Sequence, residues 1–151
     1  MSTTLVAPDL TQRPPRSPRV RLGGFVILPR TIDKGRASLA GRIGEYHFDC
    51  PLDKRFLTFV GIEGSELLEQ LRQGKSDTEI LAWVRTHGRN QRTESEIAAW
   101  SAQQEIRTPD TPEYKERFAG HVARLAPQRT DILTSFDLLD VDDHVTFGGA
   151  A

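Results

Sequence analysis

Cys50 is the single cysteine of the chain, and its neighbours are the ones a thiol nucleophile needs. Pro51 follows it at a good first-helical position, which puts Cys50 at an N-cap, where unpaired backbone N–H groups and the helix dipole support a negatively charged sulfur. His47 lies three residues earlier as a candidate general base, with Asp49 as the group that would orient it. Residues 43–50 limit this arrangement, because they alternate as a half-buried extended segment does. Tyr46, Phe48 and Cys50 fall on one side and Glu45, His47 and Asp49 on the other, so base and thiol meet only if the chain kinks at Asp49. The competing reading is a buried, inert cysteine packed beside Tyr46 and Phe48.

Arginine offers a second chemistry. Residues 1–42 carry eight Arg and Lys against two Asp, and residues 131–151 carry five Asp with no Arg or Lys, although the whole chain is only -1. Arginine pairs with carboxylates through two parallel hydrogen bonds, so the first expectation is a clasp between the two ends of the chain across the folded body. The excess of Arg around Thr31, the expected N-cap of a helix, also suits an anionic ligand, held by Arg30, Arg36 and Tyr46. Nucleic acid is disfavoured: the balance is slightly acidic, and Glu94 and Glu96 open the helix that a helix-turn-helix reader would lay on DNA.

Asp140, Asp142, Asp143 and His144 gather hard oxygen ligands and one imidazole near the end, but without the central Gly and closing Glu of a calcium loop. One Cys and four His show no zinc spacing. No metal is assigned, and whether those four residues take one is left open. Neither a Gly-x-Gly-x-x-Gly run nor a phosphate loop occurs, so no cofactor is expected.

Helices position these groups. Thr31 caps a helix to about Ala40, stopped by Gly41, after Phe25–Leu28 crosses the core extended and ends at Pro29. Phe56, Phe59 and Val60 mark the helix after Cys50, and Leu67, Leu68 and Leu71 a short one closed by Gly74. Thr78–Trp83 nearly repeats as Ser95–Trp100, each copy behind a capping box, Ser76 with Glu79 and Thr93 with Glu96. The pair reads as an αα-hairpin around residues 88–92 with both indoles inward. Tyr114, Phe118, Val122 and Leu125 stripe a helix begun by Pro112, with His121 packed at its flank, and a last helix runs from about Thr130 to Leu139 or a little beyond, carrying Ile132, Leu133 and Phe136.

The expected fold is therefore mostly α: one multi-helix domain of about six helices over residues 10–147, with an extended Arg- and Pro-rich arm at 10–30. A loose tail (1–9) and a frayed end (148–151) flank it. At 151 residues such a chain buries enough surface to fold without disulfides or metal. The unpaired cysteine and the lack of an apolar leader point to a reducing cytoplasm. The longest apolar run, Phe25–Leu28, is far short of the roughly 20 residues of a membrane span.

Leu10-Thr11, the run Arg13-Pro14-Pro15-Arg16-Ser17-Pro18-Arg19, Leu28-Pro29-Arg30, Asp33-Lys34, Gly44-Glu45-Tyr46-His47-Phe48 and Cys50-Pro51-Leu52-Asp53 together resemble a bacterial domain-of-unknown-function family, number five-zero-six-nine. The likeness continues through Ile97-Ala98-Ala99-Trp100 to the Asp-rich end. It implies a stand-alone bacterial domain of this size and carries over no activity or catalytic residue.

Three functions stay open on the sequence. The first is a module binding an anionic small molecule or a protein partner through Arg30, Arg36 and Tyr46. The second is a small enzyme with Cys50 as nucleophile, His47 as base and Asp49 behind it. The third is a structural or interaction subunit of a larger assembly. Oligomeric state is not legible.

Overall fold

Capping hydroxyls, prolines and glycines set most helix limits. The computed structural model describes residues 6–151, so the expected tail over 1–9 falls largely outside the described residues. These form seven helices and no strand: α1 (Leu28–Leu39), α2 (Pro51–Val60), α3 (Gly64–Arg72), α4 (Asp77–His87), α5 (Glu94–Glu105), α6 (Pro112–Leu125) and α7 (Ser135–Thr146). The mostly α reading holds, with seven helices where about six were expected. Both capping boxes close, the Ser76 and Thr93 hydroxyls accepting from the N–H groups of Glu79 and Glu96 at 3.2 and 3.1 Å. Thr111 caps α6 in the same way, at 3.1 Å from the Tyr114 N–H. No helix among the described residues is long and apolar enough to cross a membrane.

Two expectations about the first third of the domain need correction. Pro29 does not end an element; it sits in the first turn of α1, where its missing N–H breaks no helical bond, so the helix starts at Leu28 and Thr31 is inside it. Its N-cap is Ile27, held at φ 74° although a β-branched residue avoids that region. Tertiary burial enforces this: Ile27 is fully buried, and its N–H donates to the Pro18 carbonyl at 2.9 Å. Residues 43–50 are a run of turns rather than an extended segment, with positive φ at Gly44 and Asp49. Toward the other end, α7 runs two turns past Leu139, which puts Asp140, Asp142, Asp143 and His144 on the helix. That helix starts at Ser135 rather than near Thr130, so Leu133, expected on it, lies before it and is exposed, as is His121, which was expected to pack.

The arm crosses the body as a cationic strap. Leu22 and Phe25 exchange two backbone hydrogen bonds of 3.0 Å around Gly23 and Gly24, both at positive φ, a tight turn that glycine makes without strain. Its tip enters between α4 and α5, Gly23 against Leu81 and Gly24 against Ile97. The Ser101 hydroxyl fixes it there, donating to the Gly24 carbonyl at 2.6 Å and accepting from the Val26 N–H at 3.2 Å. Consequently α4 and α5 follow each other across residues 88–92, but the closest backbone packing is between α1 and α3, α6 and α7, and α1 and α2. Gly35 permits the first of these, since a Cβ there would collide with Leu71. Phe25, Phe56, Phe59 and Trp100 form the aromatic centre, the last two stacked at 4.7 Å, and Trp83 packs into the same core.

The expected clasp forms. Arg16 grips both carboxylate oxygens of Asp33, at 2.9 and 3.0 Å, and reaches Asp77 on α4 at 2.8 Å. Arg19 pairs with Asp137 and, at 2.9 Å, with Asp140 on α7; the Ser17 hydroxyl donates to the same Asp140 at 2.7 Å. Arg21 meets Glu105 at 2.9 Å.

Burial alone would raise the carboxyls of Asp77 and Asp137. Arg16 and Arg36 around the first outweigh it, as do the backbone N–H groups of Thr134 and Leu133, with Arg19, around the second, so both titrate below the ordinary carboxylate range. A depressed folded-state pKa means stabilisation that is complete above the unfolded value of about 4 and is lost as pH falls through the lower one. Urea midpoints are therefore expected to fall below about pH 4, and Asp77→Asn to be about 1 kcal/mol less stable at neutral pH with a shallower acid loss.

Candidate functional site

Helix α1 is buried on every side from Leu28 to Gly35, although this stretch holds Arg30, Asp33 and Lys34. Each charge is matched from a different element. Arg30, 3% exposed, forms a two-pronged pair with Asp143 of α7 at 2.8 and 3.2 Å and lies over the Tyr46 ring. The Tyr46 hydroxyl donates to Asp143 at 2.7 Å; burial and that anion push its pKa far above the usual range. Lys34, also 3% exposed, pairs with the fully buried Asp53 of α2 at 2.9 Å, and Thr31 donates to the same carboxylate at 2.6 Å. Asp33 takes the arm through Arg16. Arg36 pairs with Asp77 at 3.0 Å and donates to the Lys75 carbonyl at 3.0 Å. Two of the three residues expected to bind an anion, Arg30 and Tyr46, are thus joined to one internal carboxylate, and Arg36 is bound to another.

The Cys50 neighbourhood is also rearranged. Its sulfur lies 3.3 Å from Lys34 Nζ, and its N–H donates to Asp53 at 3.2 Å. His47 is exposed, and no hydrogen bond among the described residues joins it to Cys50 or Asp49. Asp49 turns away at φ 62°, accepts from Lys54 Nζ at 2.9 Å and faces the first residue of α3, where a Cβ at Gly64 would approach its carboxylate to 2.7 Å. At the far end Asp140 is held by the arm, Asp142 accepts from Thr146 at 3.2 Å, and His144 lies 3.2 Å from the Ala150 carbonyl. Among the described residues no cluster of three or more His, Cys, Asp or Glu could hold a metal ion.

One charge breaks the pattern. Arg55 on α2 is half-buried, has no ion pair among the described residues, and its Nη1 is sealed from solvent without a hydrogen-bond partner. Burial, and then the guanidinium of Arg107 nearby, push its pKa below the ordinary arginine range, with the Tyr114 side chain also beside it. Arg107 is exposed and also has no ion pair among the described residues; its carbonyl accepts from the Ser135 N–H at 2.9 Å, and the Ser135 hydroxyl lies 2.6 Å from the Tyr114 hydroxyl. The middle of α2, the end of α5 and the first turns of α6 and α7 therefore converge on two cations and two hydroxyls, with no counter-ion to them among the described residues. Arg55 carried a readable signal: Leu52, Arg55, Phe56 and Phe59 are spaced as an apolar helix stripe, with a guanidinium in a core position. Residue spacing alone could not bring Arg107 and Ser135 to it.

Residues 12–145 match the model of a family described as Domain of unknown function (DUF5069). The chain belongs to the DUF5069 family. No curated protein matches it. In this DUF5069 domain the residues quoted above for the likeness include the axis of the fold: Arg16, Arg30, Asp33, Lys34 and Tyr46 with Cys50 and Asp53. They join α1 to the arm, to α2 and to α7.

Asp143→Ala would strand the Arg30 guanidinium and the Tyr46 hydroxyl in the interior. The expected loss is about 3–5 kcal/mol, read as a lowered urea midpoint, and adding Arg30→Met should recover part of it, because the stranded charge goes too.

Proposed function

We propose that the domain is a binding module for a small anion, seated where α2, α5, α6 and α7 meet, with Arg55 and Arg107 as the cationic groups and Tyr114 as a hydroxyl donor. The observation that carries this reading is Arg55 Nη1, a buried donor without an acceptor on a half-buried guanidinium that has no counter-ion among the described residues, in a molecule whose deeply buried charges are paired. A guanidinium so placed is destabilising by itself and becomes favourable when an oxyanion arrives, because the two ionised partners then share charge-assisted hydrogen bonds away from water. Arg30, Arg36 and Tyr46 support the fold under this reading rather than the ligand.

The test is thermal unfolding of the whole chain with inorganic phosphate, sulfate or acetate. At least one of these anions should raise the midpoint with a saturable dose dependence, as any ligand of the folded state does. Arg55→Met should abolish that response and, without anion, should stabilise the protein by about 1 kcal/mol, since an uncompensated charge has left a half-buried site. Anions without effect on the native protein, together with a destabilised Arg55→Met, would remove the reading.

A second reading keeps the thiol. Lys34 Nζ at 3.3 Å from the Cys50 sulfur gives that sulfur a cationic neighbour, so Lys34 rather than His47 is the group placed to assist a nucleophile. Iodoacetamide should then alkylate Cys50 in the folded chain faster than it does free cysteine, and His47→Ala should leave the rate unchanged. Alkylation only after unfolding excludes it.

A further inference from the structure

The proposed anion site has a second unsatisfied atom, and its polarity restricts what can bind. Gln104 Oε1 on α5 is buried and accepts no hydrogen bond, and it and Arg55 Nη1 are the two buried side-chain atoms among the described residues without a partner. Helix register sets their two positions toward the same end of one seam. Phe59 of α2 stacks on Trp100 of α5 at 4.7 Å. Arg55 precedes Phe59 by four residues and Gln104 follows Trp100 by four, so each lies one turn further along the same two faces. Arg107, beside Arg55, lies three residues beyond Gln104, which fits only if the two helices run in opposite directions along this seam. The seam thus ends in a donor that lacks an acceptor and an acceptor that lacks a donor.

A bare anion satisfies the first atom and leaves the second. A ligand answering both carries an oxyanion and, a bond or two away, a hydrogen-bond donor. That donor is neutral: an ammonium group would sit beside two guanidinium ions with no carboxylate to screen it, whereas a hydroxyl donates to Gln104 Oε1 without adding charge. Resting on the anion-binding reading above, we infer that the site takes a small hydroxycarboxylate, its carboxylate on Arg55 and Arg107 and its hydroxyl on Gln104. Discrimination then follows from the unpaired carbonyl, since a site built around a buried hydrogen-bonding group rejects the analogue that leaves it empty.

Acetate and glycolate differ by that single hydroxyl, and titration calorimetry of the full chain with each is the test. Glycolate should bind at least ~10-fold more tightly than acetate to the native protein. Gln104→Leu should remove the difference while acetate still binds, and Arg55→Met should remove both. Gln104→Glu guards against a Leu variant that fails to fold: it sets a carboxylate opposite Arg55 and should raise the melting midpoint while excluding both acids. Equal affinities for acetate and glycolate would overturn the hydroxycarboxylate assignment and leave anion binding standing. Binding of neither acid, with phosphate and sulfate also inert, would overturn both. A glycolate preference that survives in Gln104→Leu, or a Gln104→Glu protein with a lowered midpoint, would show that Gln104 does not face Arg55 and would likewise end the assignment.

Discussion

A helix carrying Arg30, Asp33 and Lys34 runs through the middle of this domain, and the rest of the molecule is arranged to neutralise it. Taking such ions out of water costs several kcal/mol each unless a counter-ion and further hydrogen bonds replace the lost solvent. Asp143 and Tyr46 do this for Arg30, Asp53 and Thr31 for Lys34, and Arg16 for Asp33. Because each partner comes from a different element, one helix specifies where the arm, α2 and α7 must lie. Apolar contacts supply the bulk attraction but are tolerant of small shifts; two-pronged carboxylate pairs are not.

That arrangement separates two kinds of charge. Matched ions hold the architecture in place and leave no free valence for a ligand. Arg55, Arg107 and Gln104 remain outside the matching, around the middle of α2 and the end of α5. The anion-binding proposal starts from this break in the matching, a guanidinium without an internal remedy beside a second one.

What could be read from residue order divides along the range of the interaction. Capping boxes at Ser76 and Thr93 and the α6 stripe are settled within a few residues, and they were legible; the turn at Gly23-Gly24 was not, because its place between α4 and α5 is set by tertiary contact. The clasp was legible as a charge imbalance between the ends, though not in its pairings. The start of α1 was misread because Pro29 both ends and begins elements, and the choice depends on Ile27 being forced to φ 74° by its surroundings. The thiol site was misplaced for a similar reason: Asp49 turns toward α3, and the cation near Cys50 comes from Lys34, a residue with no sequence relation to it. Arg55 occupies an apolar stripe position on its own helix, visible singly, but the register that the proposal uses to set Gln104 near it comes from the Phe59–Trp100 stack.

The pairing of Arg30 with Asp143 has a kinetic side. These residues are 113 positions apart, and Ser17 and Asp140 are separated by 123, so the centre of the domain is completed by its last helix. During translation α1 emerges with a guanidinium whose anion follows only 113 residues later. Loop closure of that length is slow, and it favours collapse after release over stepwise assembly on the growing chain. A nascent chain halted before α7 would leave Arg30 without its counter-ion and the strap without the pairings of Arg19 and Ser17, so the centre of the domain waits on its last helix.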